Sequence, residues 1–429
     1  MLASSCKEEI VPKPYRPRSE YDAYRHQLES ANLLGTNMGQ DWQNAGWQAM
    51  VAPVKIDPPY MEAFYLASTG TEAVGYRFSA KRGQKIEINI NRENINLKDS
   101  TKLFIDLFRI NNDSLNNWSH VASADENELL LGFEPRRDAD YIVRVQAELL
   151  RGGKFTFIVK KVAVFDFPVL GKNSKAIGSY FGDPRDGGKR DHHGVDIFAK
   201  RHTPVLAPIR AYVRFVGERG LGGNVVWLRD QKGRSLYFAH LQTQVAKKFT
   251  WVNPGDTIGT VGNSGNARTT PTHLHFGIYQ SGPVDPIHFI RKNNKEADPV
   301  LADKDALGTW VRTKELTWLM AEPMRRSKHI DTLEVNQLAK VQAAHGEFYR
   351  IITPDGITGF VKDVAIEKAI DPIEQLLLEK PDLLLENPST NTYEVARLTP
   401  GLEYTIHGKH KNYLLIKTSF GQMGWLLTL

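Results

Sequence analysis

Residues 272–277 read Thr272-His273-Leu274-His275-Phe276-Gly277 in a chain of 429 residues. Side chains two positions apart on a β-strand point to the same face, so His273 and His275 stand side by side while Leu274 and Phe276 face a core. The pattern therefore predicts a strand with one apolar face and one face that carries two imidazoles. Two protonated imidazoles in one small volume would repel each other, so a metal ion or an acid must organise them.

A second segment supplies an acidic partner, and it reads Asp191-His192-His193-Gly194-Val195-Asp196-Ile197. Gly194 and the β-branched residues that follow it disfavour a helix. We expect His192 in a turn that brings it beside Asp196, with 195–197 entering a strand. These two side chains and one histidine from 272–277 form a ligand set that suits zinc. The sequence has neither a Cys-rich zinc site, since it contains one Cys, nor a His-Glu-x-x-His helix.

Hydrolysis at such a site requires a proton acceptor and a group that stabilises an oxyanion. A zinc ion with three protein ligands keeps a fourth position for water, whose pKa it lowers to about 7. A third segment, Tyr237-Phe238-Ala239-His240-Leu241, adds one more histidine. Because no nearby motif supplies a glutamate, the candidates for proton transfer are His240 and whichever of His273 and His275 is not a ligand.

The three segments resemble the motifs of lysostaphin/LytM-type zinc metallopeptidases, which are bacterial cell-wall endopeptidases. The resemblance covers residues 167–292, and flanking stretches such as 179–182, 222–224 and 261–265 agree with it. It implies an antiparallel β-sheet groove in which zinc is bound by one ligand set and the reaction is catalysed by two histidines. The implied ligands are His192, Asp196 and His275, and the implied catalytic residues are His240 and His273. The sequence has the required histidine or aspartate at all five positions, which favours an active enzyme.

The resemblance implies a zinc-dependent endopeptidase that hydrolyses the peptide cross-links of bacterial peptidoglycan. Two alternatives stay open: a catalytically inactive, wall-binding activator of other wall hydrolases, and a zinc peptidase that acts on glycine-rich proteins. The loop 183–190 is the expected rim of the groove. Candidate substrate contacts are Arg185 and Arg190, whose guanidinium groups match carboxylates, and Asn224. Such an enzyme is exported, to the periplasm or to an outer-membrane anchor in the bacterial cell envelope.

The rest of the chain is predicted to form β-structure. Apolar and polar residues alternate in short runs such as 86–90 and 155–159, which predicts antiparallel strands of a β-sandwich. Two C-terminal segments each end in a strand, a tight turn and a Gly-aromatic-aliphatic strand, a pattern that resembles SH3-like barrels. The acidic, Leu-rich link 365–379 is predicted to be a short helix.

We therefore expect a mainly β, multidomain protein with an accessory β-sandwich, a peptidase domain built on an antiparallel β-sheet groove and two SH3-like barrels. The barrels are expected to bind wall peptide or to occlude the groove. The predicted divisions are an N-terminal tether with a short helical segment (1–55), the β-sandwich (56–164), the lysostaphin-type peptidase domain (165–295) and the SH3-like domains (305–370 and 371–429).

The composition is that of a globular protein, with 41% hydrophobic and 24% charged residues, which excludes a wholly disordered or fibrous chain. A net charge of +6 without a clustered basic stripe argues against nucleic acid as a partner. The small residues before Cys6 resemble the tail of a bacterial lipoprotein signal. We expect a true start upstream and membrane attachment through a lipid on Cys6; a free Cys in an extended terminus is the alternative. The sequence carries no signal for an oligomeric state.

Overall fold

The computed structural model describes residues 16–93, 101–111, 114–125, 128–293, 295–389 and 391–428. Strands predominate and form several sheets, which confirms the expected mainly β architecture. Cys6, the expected site of lipid attachment, lies outside the described residues. Among the described helices, none is both long enough and apolar enough to cross a membrane.

Two helices, α1 (Glu20–Ser30) and α2 (Asn37–Val51), lie where the sequence predicted a tether with one short helical segment. Each begins at a hydroxyl N-cap: Ser19 and Thr36 each accept a backbone N–H at 3.2 Å, which satisfies a donor that the first turn leaves free. Trp42 of α2 is 1% exposed, so this helix is packed on the following domain and does not belong to a free tether.

Nine strands form the predicted β-sandwich, and a core that includes Tyr76, Val143 and Phe157 lies between its two sheets. One sheet has the order β1-β3-β8-β5-β6, and the other contains β2-β9-β4-β7. The strands β1 to β9 span Val54–Lys55, Tyr60–Leu66, Ala73–Ala80, Gln84–Arg92, Leu103–Asn111, Ser114–Ser123, Leu130–Phe133, Ala139–Ala147 and Gly153–Ala163.

The central unit contains an eight-stranded sheet, a three-stranded sheet (β14-β20-β18) and a hairpin (β11-β12). The large sheet has the order β10-β13-β21-β17-β16-β15-β19, with β22 paired to β21. Strands β10 to β22 and helix α3 span Ile177–Ser179, Pro184–Arg185, Arg190–Asp191, Val195–Phe198, Pro204–Leu206, Ala211–Glu218, Asn224–Asp230, Ser235–Ala239, Leu241–Gln244, Trp251–Val252, Thr257–Val261, His273–Tyr279, Pro283–Val284 and, for α3, Ile287–Ile290.

One face of the eight-stranded sheet packs against the three-stranded sheet. Leu236 and Leu274 of the large sheet share a fully buried core with Val205 and Ile258 of the small one. Because side chains alternate between faces along a strand, the neighbours of these core residues point to the opposite face. That second face carries the histidines described below.

The C-terminal strands form two units with the same strand order. In the first, β23 pairs with β26 and the order continues β26-β27-β28-β24-β25; in the second, β30 pairs with β33 and the order continues β33-β34-β35-β31-β32. The assignment of these units as SH3-like barrels stays a prediction. Strands β23 to β35 span Trp310–Thr313, Thr317–Met320, His329–Leu333, Leu338–His345, Phe348–Ile352, Thr358–Lys362, Ile366–Lys368, Glu374–Leu377, Asp382–Leu385, Glu394–Leu398, Glu403–His410, Tyr413–Lys417 and Met423–Leu427.

The predicted helix at 365–379 is wrong, because this link contains strands β29 and β30. Glu374 lies opposite Ile406 of β33, so tertiary pairing and not local leucine content decides the conformation.

Strand β2 joins the sandwich to the first C-terminal unit. Ala63 of β2 lies opposite Ala344 of β26, so one sheet of eleven strands runs through both units. At this junction Glu62 is 0% exposed and is bound by Arg350 at 2.6 Å and by the Tyr60 hydroxyl at 2.5 Å. The segments 56–164 and 305–370 therefore share a sheet and a buried ion pair.

Candidate metal centre

Strand register brings the predicted site residues to one face of the eight-stranded sheet. Asp196 of β13 lies opposite His275 of β21, and Ala239 of β17 lies opposite His275 on the other side. Residues that are directly opposite share a face, and His273 shares that face with His275 because it is two positions away. His240 follows β17 immediately, so it reaches the same end of the sheet.

Three side-chain atoms converge at this end of the sheet. His192 Nε2 lies 2.9 Å from His275 Nδ1 and 3.0 Å from Asp196 Oδ1, and His275 Nδ1 lies 3.0 Å from the same oxygen. We call these residues the metal trio. Two imidazole nitrogens and one carboxylate oxygen are donors that zinc accepts, so the residues present fit this ion. Among the described residues, the trio is the single cluster of His, Cys, Asp or Glu side chains that could enclose a metal.

His192 is positioned by the hairpin β11-β12 and lies outside β13. Its N–H donates to the Asp183 carbonyl and its own carbonyl accepts from Gly182 N–H, both at 2.9 Å. Its Nδ1 lies 2.8 Å from the Tyr180 carbonyl. Because a carbonyl only accepts, the ring proton is on Nδ1, and the lone pair of Nε2 is directed at Asp196.

His240 and His273, which we call the flanking histidines, stand beside the trio with their ring centres 5.0 Å apart. Nδ1 of His240 lies 2.9 Å from the Ser264 carbonyl, and Nδ1 of His273 lies 2.8 Å from the Pro271 carbonyl. Both rings therefore carry their proton on Nδ1 and keep Nε2 as an acceptor. His273 Nε2 is 3.9 Å from Asp196 Oδ1, so this acceptor points towards the metal trio.

The backbone of His240 adopts the left-handed conformation, with φ at +62°, and its N–H donates to the Gly222 carbonyl at 2.9 Å. Such a conformation is uncommon outside glycine and is frequent at functional sites. Burial, with the nearby His273 and His275, lowers the pKa of His240 to about 4. The ring is consequently neutral at pH 7, with Nε2 as a hydrogen-bond acceptor.

Arg185 holds the second oxygen of Asp196. Its Nη2 lies 2.7 Å from Asp196 Oδ2 and 2.5 Å from Ser179 Oγ. Burial by itself would raise the pKa of Asp196, but the close contacts with His192 and His275 lower this pKa to well below its usual range. The carboxylate is therefore ionised, with one oxygen directed at the trio and the other bound by a guanidinium.

The other predicted substrate contacts lie in different places. Arg190 lines the cavity described next and pairs with Asp186 on the exposed rim. Asn224 does not line it; its amide donates to the Leu241 carbonyl at 3.2 Å. The contact of Arg185 with Asp196 was missed in the sequence, since it depends on how the hairpin β11-β12 folds over β13.

The metal trio and the flanking histidines open into a cavity of about 550 Å³. All lining residues lie between 179 and 279, including part of the predicted rim 183–190 and Leu221, which is 60% exposed. Within the described parts of the chain, no residue of the sandwich or of the C-terminal units lines this cavity. The expected occlusion of the groove by the C-terminal units is therefore absent from this structure.

The two residues that follow His192, His193 and Gly194, differ in their relation to the metal trio. His193 is exposed and lies outside the trio, so the ambiguity of two adjacent histidines is resolved in favour of His192. Gly194 allows close approach of two strands: a Cβ at this position would lie 2.5 Å from the Phe276 carbonyl oxygen and 2.8 Å from Cε1 of His275.

A His-Asp-His centre with two flanking histidines, in an open groove of an antiparallel sheet, is the arrangement of a metal-dependent hydrolase. Residues 190–286 match Peptidase family M23. The chain therefore contains a Peptidase M23 domain, which is homologous to the LytM/lysostaphin-type peptidoglycan endopeptidases.

Among the relatives, the L-Ala–D-Glu endopeptidase of Bacillus subtilis is 37% identical over 122 residues, which cover 27% of this chain and 37% of that protein. The murein hydrolase activator NlpD of Escherichia coli is 25% identical over 131 residues, which cover 30% of this chain and 32% of NlpD. The solved catalytic domain of lysostaphin from Staphylococcus simulans is 30% identical, with 26% of this chain and 89% of that domain covered and a TM-score of 0.24. The match thus spans about a third of the length of the Bacillus subtilis endopeptidase and of NlpD.

Proposed function

We propose that this protein is a zinc-dependent endopeptidase that hydrolyses the peptide cross-links of bacterial peptidoglycan. The observation that carries the proposal is the convergence of His192 Nε2, His275 Nδ1 and Asp196 Oδ1 within 3.0 Å of one another. The substrate class is supported by the relatives, one of which is an L-Ala–D-Glu endopeptidase. The open cavity beside the trio gives an extended peptide access to the site.

In this proposal the metal trio holds zinc, and the flanking histidines transfer protons. Bound zinc would lower the pKa of a water molecule and polarise the scissile carbonyl. His273 Nε2 accepts the proton of the attacking water and passes it to the leaving amine, because it is an acceptor that points towards the trio. His240 shares the proton transfer through Nε2, and it can stabilise the oxyanion only once Nε2 has taken up a proton. Arg185 orients Asp196 through its hydrogen bond to Oδ2.

The second candidate is a wall-binding activator without turnover, since NlpD is a murein hydrolase activator. The presence of both flanking histidines with free acceptor nitrogens favours an active enzyme, because an activator does not require them. A zinc peptidase that acts on glycine-rich proteins is the remaining alternative, and it differs only in substrate.

Metal content and product analysis test the proposal together. The purified chain should contain one zinc ion, and mass spectrometry of digested peptidoglycan should show cleaved stem peptides while a glycine-rich protein stays intact. His192→Ala should lose both zinc and turnover, whereas the adjacent His193→Ala, which lies outside the trio, should keep its zinc. Zinc binding without turnover would support the activator, and cleavage of the protein alone would support the third alternative.

We further propose that the protein acts in the cell envelope and is attached to a membrane by a lipid on Cys6, with the two C-terminal SH3-like units binding the wall. Mass spectrometry of the N-terminal peptide from native membranes should detect the lipid. Cys6→Ser should move the protein to the aqueous phase of a detergent partition. Wild-type protein in that same phase would contradict the attachment.

A further inference from the structure

Four aromatic side chains cross the second face of the eight-stranded sheet. Tyr279 lies on β21, Tyr237 on β17, Trp227 on β16 and Phe215 on β15, and these strands are successive neighbours in the sheet. We call these residues the aromatic band. With strands about 4.8 Å apart, three spacings make the band about 15 Å long.

Register and ring contacts place the band on the same face as the metal trio. Tyr237 lies opposite Trp227, which in turn lies opposite Phe215. The rings of Trp227 and Tyr237 are 4.5 Å apart, and those of Trp227 and Tyr279 are 5.4 Å apart. The Tyr237 ring also lies 5.7 Å from the imidazole of His275. The band therefore begins at the metal trio and extends across the sheet to β15.

The band is accessible and its polar atoms are unused. All four residues are partly exposed, whereas core residues on the opposite face such as Leu236 are 0% exposed. Within the described chain, the hydroxyls of Tyr237 and Tyr279 have no hydrogen-bond partner; Nε1 of Trp227 has none either, but this atom is buried away from solvent. Contiguous apolar surface of this kind marks a binding site, and aromatic rings with free O–H groups suit a ligand that is both apolar and polar.

A sugar ring has these two properties, since it presents a face of C–H groups that stacks on an aromatic ring and an edge of hydroxyls that form hydrogen bonds. In peptidoglycan such rings are covalently joined to the stem peptide. Tyr237 and Tyr279 line the cavity of the metal trio, so a peptide bound there would bring its glycan strand onto the band. We propose that the aromatic band binds saccharide rings of the glycan strand next to the scissile peptide, an inference that rests on the proposed function.

Two cations near the band favour a different ligand. Arg219 lies 6.0 Å from the centre of the Trp227 ring, and Lys248 lies 5.9 Å from that of Phe215. They would suit the carboxylates of an acidic stem peptide. The unused tyrosine hydroxyls and the row of aromatic rings favour the sugar, and the experiment below separates the two ligands.

The test uses Trp227→Ala in the full chain, because Trp227 belongs to the band and does not line the cavity. Three measurements are compared: turnover of intact peptidoglycan, turnover of synthetic cross-linked stem peptides without sugar, and binding of glycan strands whose peptides have been removed. We expect kcat/KM on intact peptidoglycan and glycan affinity each to fall about tenfold, equivalent to about 1.4 kcal/mol, with peptide turnover unchanged. The control is Trp47→Ala, which removes a 53% exposed tryptophan of α2, outside the peptidase domain and the C-terminal units, and should change none of the three.

A parallel loss on the sugar-free peptide would show that the band holds peptide, and unchanged glycan binding would also overturn the inference. If the wild-type chain cleaves neither substrate, the proposed function fails, while glycan binding still tests the band. Should Trp227→Ala unfold at a lower temperature than wild type, Trp227→Leu and Phe215→Leu repeat the measurement with less apolar surface lost.

Discussion

Replacing Arg185 with alanine distinguishes a residue that positions a metal ligand from one that binds substrate. Nη2 of Arg185 donates to Asp196 Oδ2 at 2.7 Å, and the Asp196 side chain is 10% exposed, so water replaces this bond poorly. A hydrogen bond to a charged group contributes about 1.5–3 kcal/mol. Since about 1.4 kcal/mol is a factor of ten, Arg185→Ala should weaken zinc binding by about 10–100-fold.

The assay is a competitive zinc titration against a chromophoric chelator, with thermal unfolding of the metal-free protein to show that the variant folds. Arg190→Ala is the matched control, because Arg190 is on the same rim but pairs with Asp186 outside the trio. Arg185→Lys should recover little affinity, since an ammonium group cannot reproduce a planar guanidinium held between Asp196 and Ser179. An unchanged zinc affinity together with a raised KM would refute this reasoning and restore Arg185 as a substrate contact.

Three further predictions concern stability. Gly194→Ala should lower the free energy of unfolding in urea by roughly 1–3 kcal/mol and reduce zinc binding, because the new methyl group would lie 2.5 Å from a carbonyl oxygen of the neighbouring strand. The control is Gly35→Ala, which should be close to neutral because no atom lies within 4 Å of the added Cβ. Glu62→Gln should cost about 3 kcal/mol, since it leaves Arg350 buried without its counter-ion, and a cost below about 1 kcal/mol would contradict this buried pairing. Burial would raise the pKa of the Asp106 carboxyl, but hydrogen bonds lower this pKa overall in the folded protein. The contribution of Asp106 to the free energy of unfolding is therefore present above the ordinary pKa of aspartate and is lost as the pH falls through the lower, folded-state value. The free energy of unfolding of Asp106→Asn should consequently vary less between pH 5 and pH 2 than that of wild type.

The strands of the sandwich could be predicted from the sequence because the alternation of side chains is a local signal. The helices α1 and α2 were under-predicted, since their start depends on the Ser19 and Thr36 caps and α2 is stabilised by burial of Trp42 against distant strands. The link 365–379 was mistaken for a helix because its leucines do not reveal that Glu374 will pair with β33. Pairing with β33 determines the conformation of that segment.

In the candidate site too, the features set by local sequence patterns could be predicted, and those set by tertiary contacts could not. His273 and His275 share a face by strand parity alone, so their proximity was predictable. The contact of Arg185 with Asp196 joins residues of two different strand pairs and has no signature in spacing. The aromatic band could not be predicted for the same reason, since its members lie on four strands whose order the sequence does not reveal.

A crystal structure of the zinc-loaded protein, with anomalous data collected on both sides of the zinc edge, tests the account most directly. We predict one anomalous peak bonded to His192 Nε2, His275 Nδ1 and Asp196 Oδ1 at about 2.0–2.2 Å, with no protein atom in the fourth position. A peak ligated by His193, or zinc-loaded crystals with no peak at the metal trio, would contradict it.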